Sequence, residues 1–273
     1  MNNEDPRPIG VFDSGIGGLT VLRAMLELLP HESYIYVGDT EYLPYGNKSP
    51  ELIKKLALEV TATLLKQNVK ALIVACNTIS AVALPEIRSL AQHIPVIDVI
   101  EPTVLYTLKY AQSKKIAVIA TETTISSHIY ENKIQELSSG AFQVISKATP
   151  SFVPLIEENP HNNPLIEDAI DLYLREFKDN TVLNTLILGC THYPMIKEYI
   201  ERYLGTRFVV IDSAHPTANA LKELLTREQM LHSEGKATRV FFTSDDPSRS
   251  LKIAEEFLGG DVELHQMTIE GRR

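Results

Sequence analysis

Cys76 and Cys190 are the two cysteines of the chain and its clearest candidates for chemistry. Each ends an apolar run, ALIVA before Cys76 and TLILG before Cys190, and each is followed by polar residues. A thiolate is a base and a thiol is a proton donor, so two facing cysteines could exchange protons with one substrate. Taken singly, either cysteine could instead be a small packing residue at a strand end.

Other reactive side chains stand near these cysteines or at further strand ends. Asn77 and Thr78 are good N-cap residues, so we expect a helix to begin there and its positive end to favour the thiolate of Cys76. His192 could exchange a proton with the Cys190 thiol, or it could make only a structural hydrogen bond at a helix start. The Asp13 carboxylate, at the end of the first predicted strand, could steer a proton at Cys76.

A glycine-rich segment, SGIGGL, follows Asp13 at 14–19. Glycines between a strand and a helix let the backbone approach an anionic group at the helix N-terminus. The dinucleotide fingerprint G-x-G-x-x-G would need glycine where Thr20 stands, and Asp13 would repel a pyrophosphate. Asp39 fits the position of a ribose-binding acid, so a nicotinamide-dependent protein remains an alternative.

Three further segments lie at predicted strand ends. The sequence PYG at 44–46 is typical of a turn. Thr121 occupies, after the fifth predicted strand, the place that Ser14 has after the first. The segment 149–158 is irregular and carries Glu157 and Glu158, which could face solvent, or one of them could lie beside His192. The sequence pattern does not choose between them.

The elements that must position these residues are strands alternating with helices. Predicted strands lie at 9–12, 34–38, 71–75, 96–99, 116–120, 142–146, 185–189, 208–211 and 240–243. Asn163-Pro164 and Tyr193-Pro194 are helix-start signals in the gaps. Strands separated by helices predict an α/β fold with mostly parallel sheets, and continuous Val/Ile runs suit strands buried on both faces.

The two halves of the chain repeat each other. KALIVAC at 70–76 resembles NTLILGC at 184–190, and VID at 96–98 resembles VID at 210–212. The same separation, 22 residues, joins Cys76 to Asp98 and Cys190 to Asp212. We therefore expect two pseudo-symmetric α/β domains, residues 1–98 plus 213–273 and residues 99–212. Because ligands bind beyond the carboxyl ends of parallel strands, the active site should lie in the cleft between the domains.

Composition excludes several classes of protein. The 273 residues, 44% of them hydrophobic, suffice for two cores. A net charge of −9 argues against a nucleic-acid surface. No apolar segment reaches the roughly 18 residues of a membrane span, and no signal peptide is evident, so we expect a cytoplasmic protein. Two cysteines in a reducing compartment favour neither a structural disulfide nor a structural zinc site.

The segment IEGR at 269–272 spells a protease recognition sequence of the kind that vectors leave, and we assign it no function.

Five motifs together resemble those of glutamate racemases. They are VFDSGIGGL at 11–19, PYG at 44–46, ACNT at 75–78, FVPL at 152–155 and LGCTHYP at 188–194. The resemblance implies a cofactor-independent, metal-free enzyme that interconverts L- and D-glutamate for bacterial peptidoglycan synthesis. It further implies that Cys76 removes the Cα proton of D-glutamate with help from Asp13. Cys190 would remove that of L-glutamate, helped by His192 and Glu157.

The strand-end motifs contain no Lys or Arg, so we expect neutral groups to bind the substrate carboxylates, aided by helix N-termini. The expected substrate-binding residues are Asp13, Ser14, Tyr45, Gly46, Asn77, Thr78, Thr121, Thr191 and His192. A racemase acting on aspartate or a hydantoin is one alternative, although PYG and the His192 motif favour glutamate. A non-catalytic amino-acid-binding protein is another. We also expect a homodimer, since most soluble oligomers are symmetric.

Overall fold

The computed structural model describes residues 5–161, 163–232 and 234–272. The strands are β1 Ile9–Asp13, β2 Tyr34–Gly38, β3 Ala71–Val74, β4 Val96–Asp98, β5 Lys115–Ala120, β6 Gln143–Ala148, β7 Thr185–Gly189, β8 Val209–Ile211, β9 Arg239–Thr243 and β10 Leu264–Gln266. The helices are α1 Leu19–Leu28, α2 Pro50–Leu65, α3 Asn77–Leu90, α4 Ile100–Tyr110, α5 Glu122–Ser126, α6 Ile129–Ser138, α7 Phe152–Glu158, α8 Pro164–Asp179, α9 Lys197–Leu204, α10 Ala214–Arg227 and α11 Leu251–Leu258. Short 3₁₀ turns lie at Thr40–Tyr42, Tyr45–Asn47, Tyr193–Ile196 and Pro247–Arg249.

These strands form two sheets, and every pairing within the described ranges is parallel. The first sheet has the order β10-β9-β2-β1-β3-β4 and the second has the order β6-β5-β7-β8. Helices that follow the strands flank both sheets. The predicted α/β fold with two parallel-sheet units is confirmed.

The internal repeat is visible in both topology and hydrogen bonding. The order β2-β1-β3-β4 of the first sheet recurs as β6-β5-β7-β8 in the second, and β9 and β10 extend only the first sheet. Asp98 and Asp212, each at or just beyond the fourth strand of its unit, accept a hydrogen bond from the backbone N–H two residues on. Thr103 and Thr217 each donate to the carbonyl four residues earlier, at 2.6 Å. Equivalent residues therefore begin equivalent helices.

The central strands place the candidate residues. β1, β3 and β7 are buried along their whole length, as is β5 after its first residue, because their side chains other than Asp13 are small or apolar. Asp13 ends β1, Cys76 lies two residues after β3, Thr121 follows β5 and Cys190 follows β7. The parallel strands thus bring these four residues to the carboxyl edges of the two sheets.

Local differences from the sequence predictions have simple causes. The nine predicted strands are present with bounds within two residues, whereas β10 was not predicted because Leu264–Gln266 contains a single apolar residue. α8 begins at Asn163-Pro164 as predicted. The segment after His192 starts as a 3₁₀ turn, and the α-helix begins only at Lys197.

Candidate active site

A cavity of about 200 Å³ opens between the carboxyl edges of the two sheets. It is lined by Asp13, Ser14, Leu43, Pro44, Tyr45, Gly46, Asn47, Cys76, Asn77, Thr78, Thr121, Glu122, Thr149, Pro150, Val153, Pro154, Cys190, Thr191 and His192. All the predicted site residues except Glu157 are in this set. Both cysteines are buried free thiols that face the same space. Among the described lining residues none is Lys or Arg, so the polar groups of the wall are neutral or acidic apart from His192.

Cys76 caps the N-terminus of α3. Its Sγ accepts a hydrogen bond from the backbone N–H of Ile79 at 3.5 Å and lies 3.3 Å from the Ser14 hydroxyl. Burial raises the pKa of the Cys76 thiol well above its ordinary value, and the Asp13 carboxylate raises it further. The backbone N–H of Ile79 at the helix end lowers this pKa, as expected, but burial of the thiolate and the Asp13 charge outweigh its effect.

Asp13 is held beside Cys76 by the glycine-rich turn. Its Oδ1 accepts a hydrogen bond from the Ser14 backbone N–H at 2.7 Å, and its Oδ2 accepts one from Gly18 at 2.6 Å. Burial raises the pKa of Asp13, although the charge of His192 and these hydrogen bonds oppose the rise. The Ser14 hydroxyl lies 3.3 Å from both Asp13 Oδ1 and Cys76 Sγ. This hydroxyl can therefore bridge a proton between the carboxyl group and the thiol.

Cys190 has a different set of neighbours. His192 Nδ1 lies 3.9 Å from Cys190 Sγ, and its Nε2 lies 2.9 Å from Glu157 Oε1. Burial alone would lower the pKa of His192, but the contacts with Cys190 and Glu157 raise it to about 10. His192 is therefore an imidazolium at neutral pH, with its positive charge beside Cys190 Sγ.

The structure also distinguishes the two adjacent glutamates. Glu157, on α7, contacts the imidazole of His192, whereas Glu158 accepts a hydrogen bond from the exposed Asn163 amide at 3.4 Å. Glu157 does not line the cavity and reaches it only through His192. α7 is anchored by the buried Phe152, whose ring packs edge-on against Tyr193 with centroids 5.3 Å apart.

Gly17 explains part of the glycine-rich motif. A Cβ atom at this position would lie 2.3 Å from His192 Nδ1 and 2.7 Å from Thr191 Oγ1, so only glycine leaves room for that histidine. The close approach that the motif predicts is therefore made to His192 from the other half of the repeat, not to a phosphate group. The Thr20 hydroxyl reinforces this contact by donating to the Thr191 carbonyl at 2.8 Å.

Hydroxyl and amide groups complete the wall. Thr78 Oγ1 lies 3.0 Å from Thr121 Oγ1, and this pair joins the two halves. The Tyr130 hydroxyl donates to Asn77 Oδ1 at 2.6 Å, while Asn77 Nδ2 has no hydrogen-bond partner among the described residues. Tyr130 thereby fixes the orientation of the Asn77 amide and leaves a donor on a residue that lines the cavity. No sequence motif indicated Tyr130, which lies on α6.

Tyr45 and Gly46 line the cavity in the 3₁₀ turn Tyr45–Asn47. The Tyr45 side chain is buried, and its hydroxyl donates to Asp39 Oδ2. The Gly46 carbonyl accepts a hydrogen bond from Thr123 Oγ1 at 2.9 Å, which ties the turn to the second half. The prediction of an ordinary turn is thus incomplete, since Tyr45 anchors this one in the interior.

Asp39 contradicts the dinucleotide alternative. Its carboxylate is fully buried and accepts hydrogen bonds from the hydroxyls of Tyr45 and Ser244 and from the guanidinium of Arg272. With these partners it is not available to a ribose hydroxyl.

A grouping of three or more His, Cys, Asp or Glu side chains that could hold a metal ion is absent from the described residues.

Sequence reasoning missed several wall residues. Thr149, Pro150, Val153 and Pro154 border the cavity, although the sequence analysis assigned none of them to the site and used 152–155 only as a family motif. Their shared position, directly after β6 at the carboxyl edge, is the signal that could have identified them. Within the part of the chain that the structure describes, no helix combines the length and apolar character needed to cross a membrane.

Comparison with known proteins agrees with this geometry. Residues 9–221 match the family model described as Asp/Glu/Hydantoin racemase. Glutamate racemases from Thermoanaerobacter pseudethanolicus and Chlorobaculum tepidum are 40% and 42% identical to the chain. The first alignment covers 95% of this chain and 96% of the Thermoanaerobacter protein. The second covers 94% of this chain and 95% of the Chlorobaculum protein.

A solved structure is also similar over the whole length. The crystal structure of glutamate racemase from Francisella tularensis in complex with D-glutamate superposes with a TM-score of 0.91 at 37% identity. It covers 98% of this chain and 100% of that one. The resemblance inferred from the five motifs is confirmed, and the chain belongs to the Asp/Glu/Hydantoin racemase family.

Proposed function

We propose that this protein interconverts L-glutamate and D-glutamate by proton transfer at Cα, with Cys76 and Cys190 as two bases on opposite faces of the substrate. The observation that carries the proposal is that both thiols line one cavity and that each has its own assisting groups. Two fixed bases need not move around the carbon, and neither requires a cofactor. Relatives named glutamate racemase, one of them solved with D-glutamate, support glutamate as the substrate.

In the direction from L to D, Cys190 is the base. Its thiolate, stabilised by the His192 imidazolium, takes the Cα proton, and the electron pair of the C–H bond passes to Cα and its carboxylate. Cys76, kept protonated by burial and by Asp13, then gives its proton to the other face of Cα. One C–H bond breaks and one forms, so D-glutamate leaves with a thiol at Cys190 and a thiolate at Cys76.

In the direction from D to L, Cys76 must first lose its proton. The Asp13 carboxylate can accept it through the Ser14 hydroxyl, which lies 3.3 Å from each partner. Cys76 then removes the Cα proton of D-glutamate, and Cys190 donates on the opposite face. The two cysteines occupy equivalent positions in the repeat, but their assisting residues differ. This difference matches their roles, since each cysteine acts on the opposite enantiomer.

Neutral groups bind the substrate carboxylates in this proposal. The Asn77 amide, the Thr78, Thr121 and Thr191 hydroxyls and the Ser14 hydroxyl supply donors at the cavity wall, and helix N-termini add partial positive charge. The backbone of Tyr45 and Gly46 borders the same space. An essential arginine or lysine in the cavity would contradict this assignment.

Cysteine replacement tests the two-base scheme. We expect Cys76→Ser and Cys190→Ser each to abolish racemisation in both directions, since either direction uses both thiols. In D₂O, Cys76→Ser should still exchange the Cα proton of L-glutamate only, and Cys190→Ser that of D-glutamate only. Full racemisation by either variant, or the reversed exchange pattern, would contradict the roles assigned to the cysteines.

Substrate specificity is tested by the same exchange assay on the unmodified protein. Exchange of the Cα proton of glutamate but not of aspartate supports the proposal. Exchange of aspartate or a hydantoin alone would favour a related racemase, and no exchange with any of them would favour a non-catalytic amino-acid-binding protein.

The wider setting of the proposal follows from the activity. The product D-glutamate would supply peptidoglycan synthesis, and the two thiols need a reducing compartment such as the cytoplasm. We also propose the domain division 1–98 plus 213–273 and 99–212, and a homodimer. Light scattering on the purified protein at micromolar concentration tests the dimer, and a monomer mass would refute it.

A further inference from the structure

Arg272 lies far from the cavity in sequence but close to its support in space. Its side chain is 8% exposed, and its guanidinium contacts Asp39 Oδ1 at 2.5 Å and Oδ2 at 2.8 Å. The same group donates to Glu59 Oε2 on α2 at 2.8 Å and lies 4.7 Å from the centre of the Tyr42 ring. A two-pronged contact of this kind fixes the orientation of a carboxylate as well as its charge.

The residues before Arg272 hold it in place. Ile269 is buried in the core formed with α2, and the Glu270 backbone N–H donates to Thr63 Oγ1 at 3.2 Å. Lys66 and Glu270 form an ion pair on the exposed side of the same segment. Residues 269–272, to which the sequence alone assigned no function, are therefore docked on the first half of the molecule.

Asp39 connects Arg272 to the cavity. The Tyr45 hydroxyl donates to Asp39 Oδ2, and Ser244 Oγ donates to Oδ1 at 2.7 Å. Burial first and the Asp39 charge second raise the pKa of Tyr45 well above its ordinary value, so the hydroxyl stays protonated and donates. Without Arg272, the buried Asp39 carboxylate would lose its charged partner and could no longer hold Tyr45 in one position.

We propose that Arg272 is a positioning residue for substrate binding, which acts through Asp39 and Tyr45 to fix the turn Tyr45–Asn47 at the cavity wall. The inference rests on the proposed function, because it assigns that turn to the glutamate site. Arg272 touches neither cysteine nor any of their helpers. Its loss should therefore weaken substrate binding and leave proton transfer itself nearly unchanged.

Kinetic constants of Arg272→Gln test this division. We expect KM to rise about tenfold for both enantiomers while kcat changes by less than about threefold, a split that a general loss of folded enzyme would not produce. Arg272→Lys keeps the positive charge but cannot make the two-pronged contact with the Asp39 carboxylate. Its KM should therefore lie between those of Arg272→Gln and the unmodified protein. Lys66→Ala is the matched control, since it removes an ion pair of the same segment without touching Asp39, and its KM should stay unchanged.

Coupling through Asp39 is tested by a second variant. Because Asp39→Asn removes the unpaired charge, the double variant with Arg272→Gln should have a KM no higher than that of Arg272→Gln alone. Additive effects of the two changes would overturn the proposed route. An equal rise in KM for Lys66→Ala and Arg272→Gln would overturn the positioning role of Arg272. It would mean that substrate binding depends only on the docking of residues 269–272.

Limited trypsin digestion gives a readout that does not depend on glutamate. Lys48 directly follows the turn, and we expect cleavage after Lys48 to accelerate at least fivefold in Arg272→Gln but not in Lys66→Ala, as followed by mass spectrometry. Unchanged cleavage in Arg272→Gln would overturn the proposal that Arg272 fixes the turn Tyr45–Asn47. If the unmodified protein did not racemise glutamate but the digestion differed as expected, the proposed function would be refuted. The role of Arg272 in fixing the turn Tyr45–Asn47 would still be supported.

Discussion

Glu157→Gln removes the carboxylate beside His192 while keeping almost the same side-chain shape. The contact of Glu157 Oε1 with His192 Nε2 at 2.9 Å is one of the two that raise the pKa of His192 to about 10. Hydrogen bonds to charged groups contribute about 1.5–3 kcal/mol. Because the Glu157 side chain is 31% exposed, solvent screening reduces this contribution, and we take about 1.4 kcal/mol, or roughly one pKa unit.

The pH dependence of kcat/KM measures this change. Racemisation needs the His192 imidazolium, so activity should fall as the pH rises through the pKa of that group. In Glu157→Gln the alkaline limb should lie about one pH unit lower than in the unmodified enzyme. It should shift equally for L- and D-glutamate, because the equilibrium constant between enantiomers is one and ties the two values of kcat/KM together.

Glu158→Gln is the matched control, since Glu158 is the adjacent carboxylate and accepts a hydrogen bond from the exposed Asn163 amide instead of contacting His192. Its pH profile should coincide with that of the unmodified enzyme. An unshifted alkaline limb in Glu157→Gln, or an equal shift in both variants, would refute the assignment of Glu157 as the partner of His192.

Stability should follow the same titration. The pKa of His192 is raised in the folded protein, so its stabilising contribution is complete below about pH 6.5 and is lost as the pH rises through about 10. Glu157→Gln should therefore lower the free energy of unfolding by about 1.4 kcal/mol near neutral pH. The difference from the unmodified protein should disappear above about pH 10. A constant difference across this range would contradict the linkage to His192.

Three further replacements test the rest of the site. Gly17→Ala places a Cβ 2.3 Å from His192 Nδ1, so kcat/KM should fall at least about tenfold, whereas Gly260→Ala, with open space around its Cβ, should leave it unchanged. Tyr130→Phe frees the Asn77 amide, so KM should rise about fivefold, the equivalent of one hydrogen bond of about 1 kcal/mol, and an unchanged KM would exclude a role for this contact. Asp13→Asn removes the carboxylate beside the first thiol, so kcat should fall about 100-fold in both directions, as steady-state kinetics would show.

The repeat made the position of the cysteines predictable. Cys76 and Cys190 follow equivalent buried strands, and parallel strands bring such residues to a shared edge whatever the details of packing. The residues adjacent to them in sequence, Asn77 and His192, could be assigned to the site for the same reason. Local sequence therefore sufficed wherever the function depends on the end of a strand.

Contacts between distant segments could not be predicted in this way. Glu157 and Glu158 differ only by one step around a helix, and the sequence does not show which face meets His192. Arg272 reaches Asp39 only because Ile269 is docked in the core, which no local pattern indicates. The net direction of the Cys76 pKa shift could not be predicted either, since the degree of burial that controls it is a property of the folded chain.

The two-base scheme makes its most direct prediction about the fate of the Cα proton. Each enantiomer of glutamate is incubated with the enzyme in D₂O, and both enantiomers are isolated at low conversion for mass spectrometry. Because the second thiol delivers a solvent-derived deuteron, the product should carry deuterium at Cα from the first turnovers, while recovered substrate remains largely unlabelled. Transfer of the original proton into the product would contradict a site in which Cys76 and Cys190 act on opposite faces.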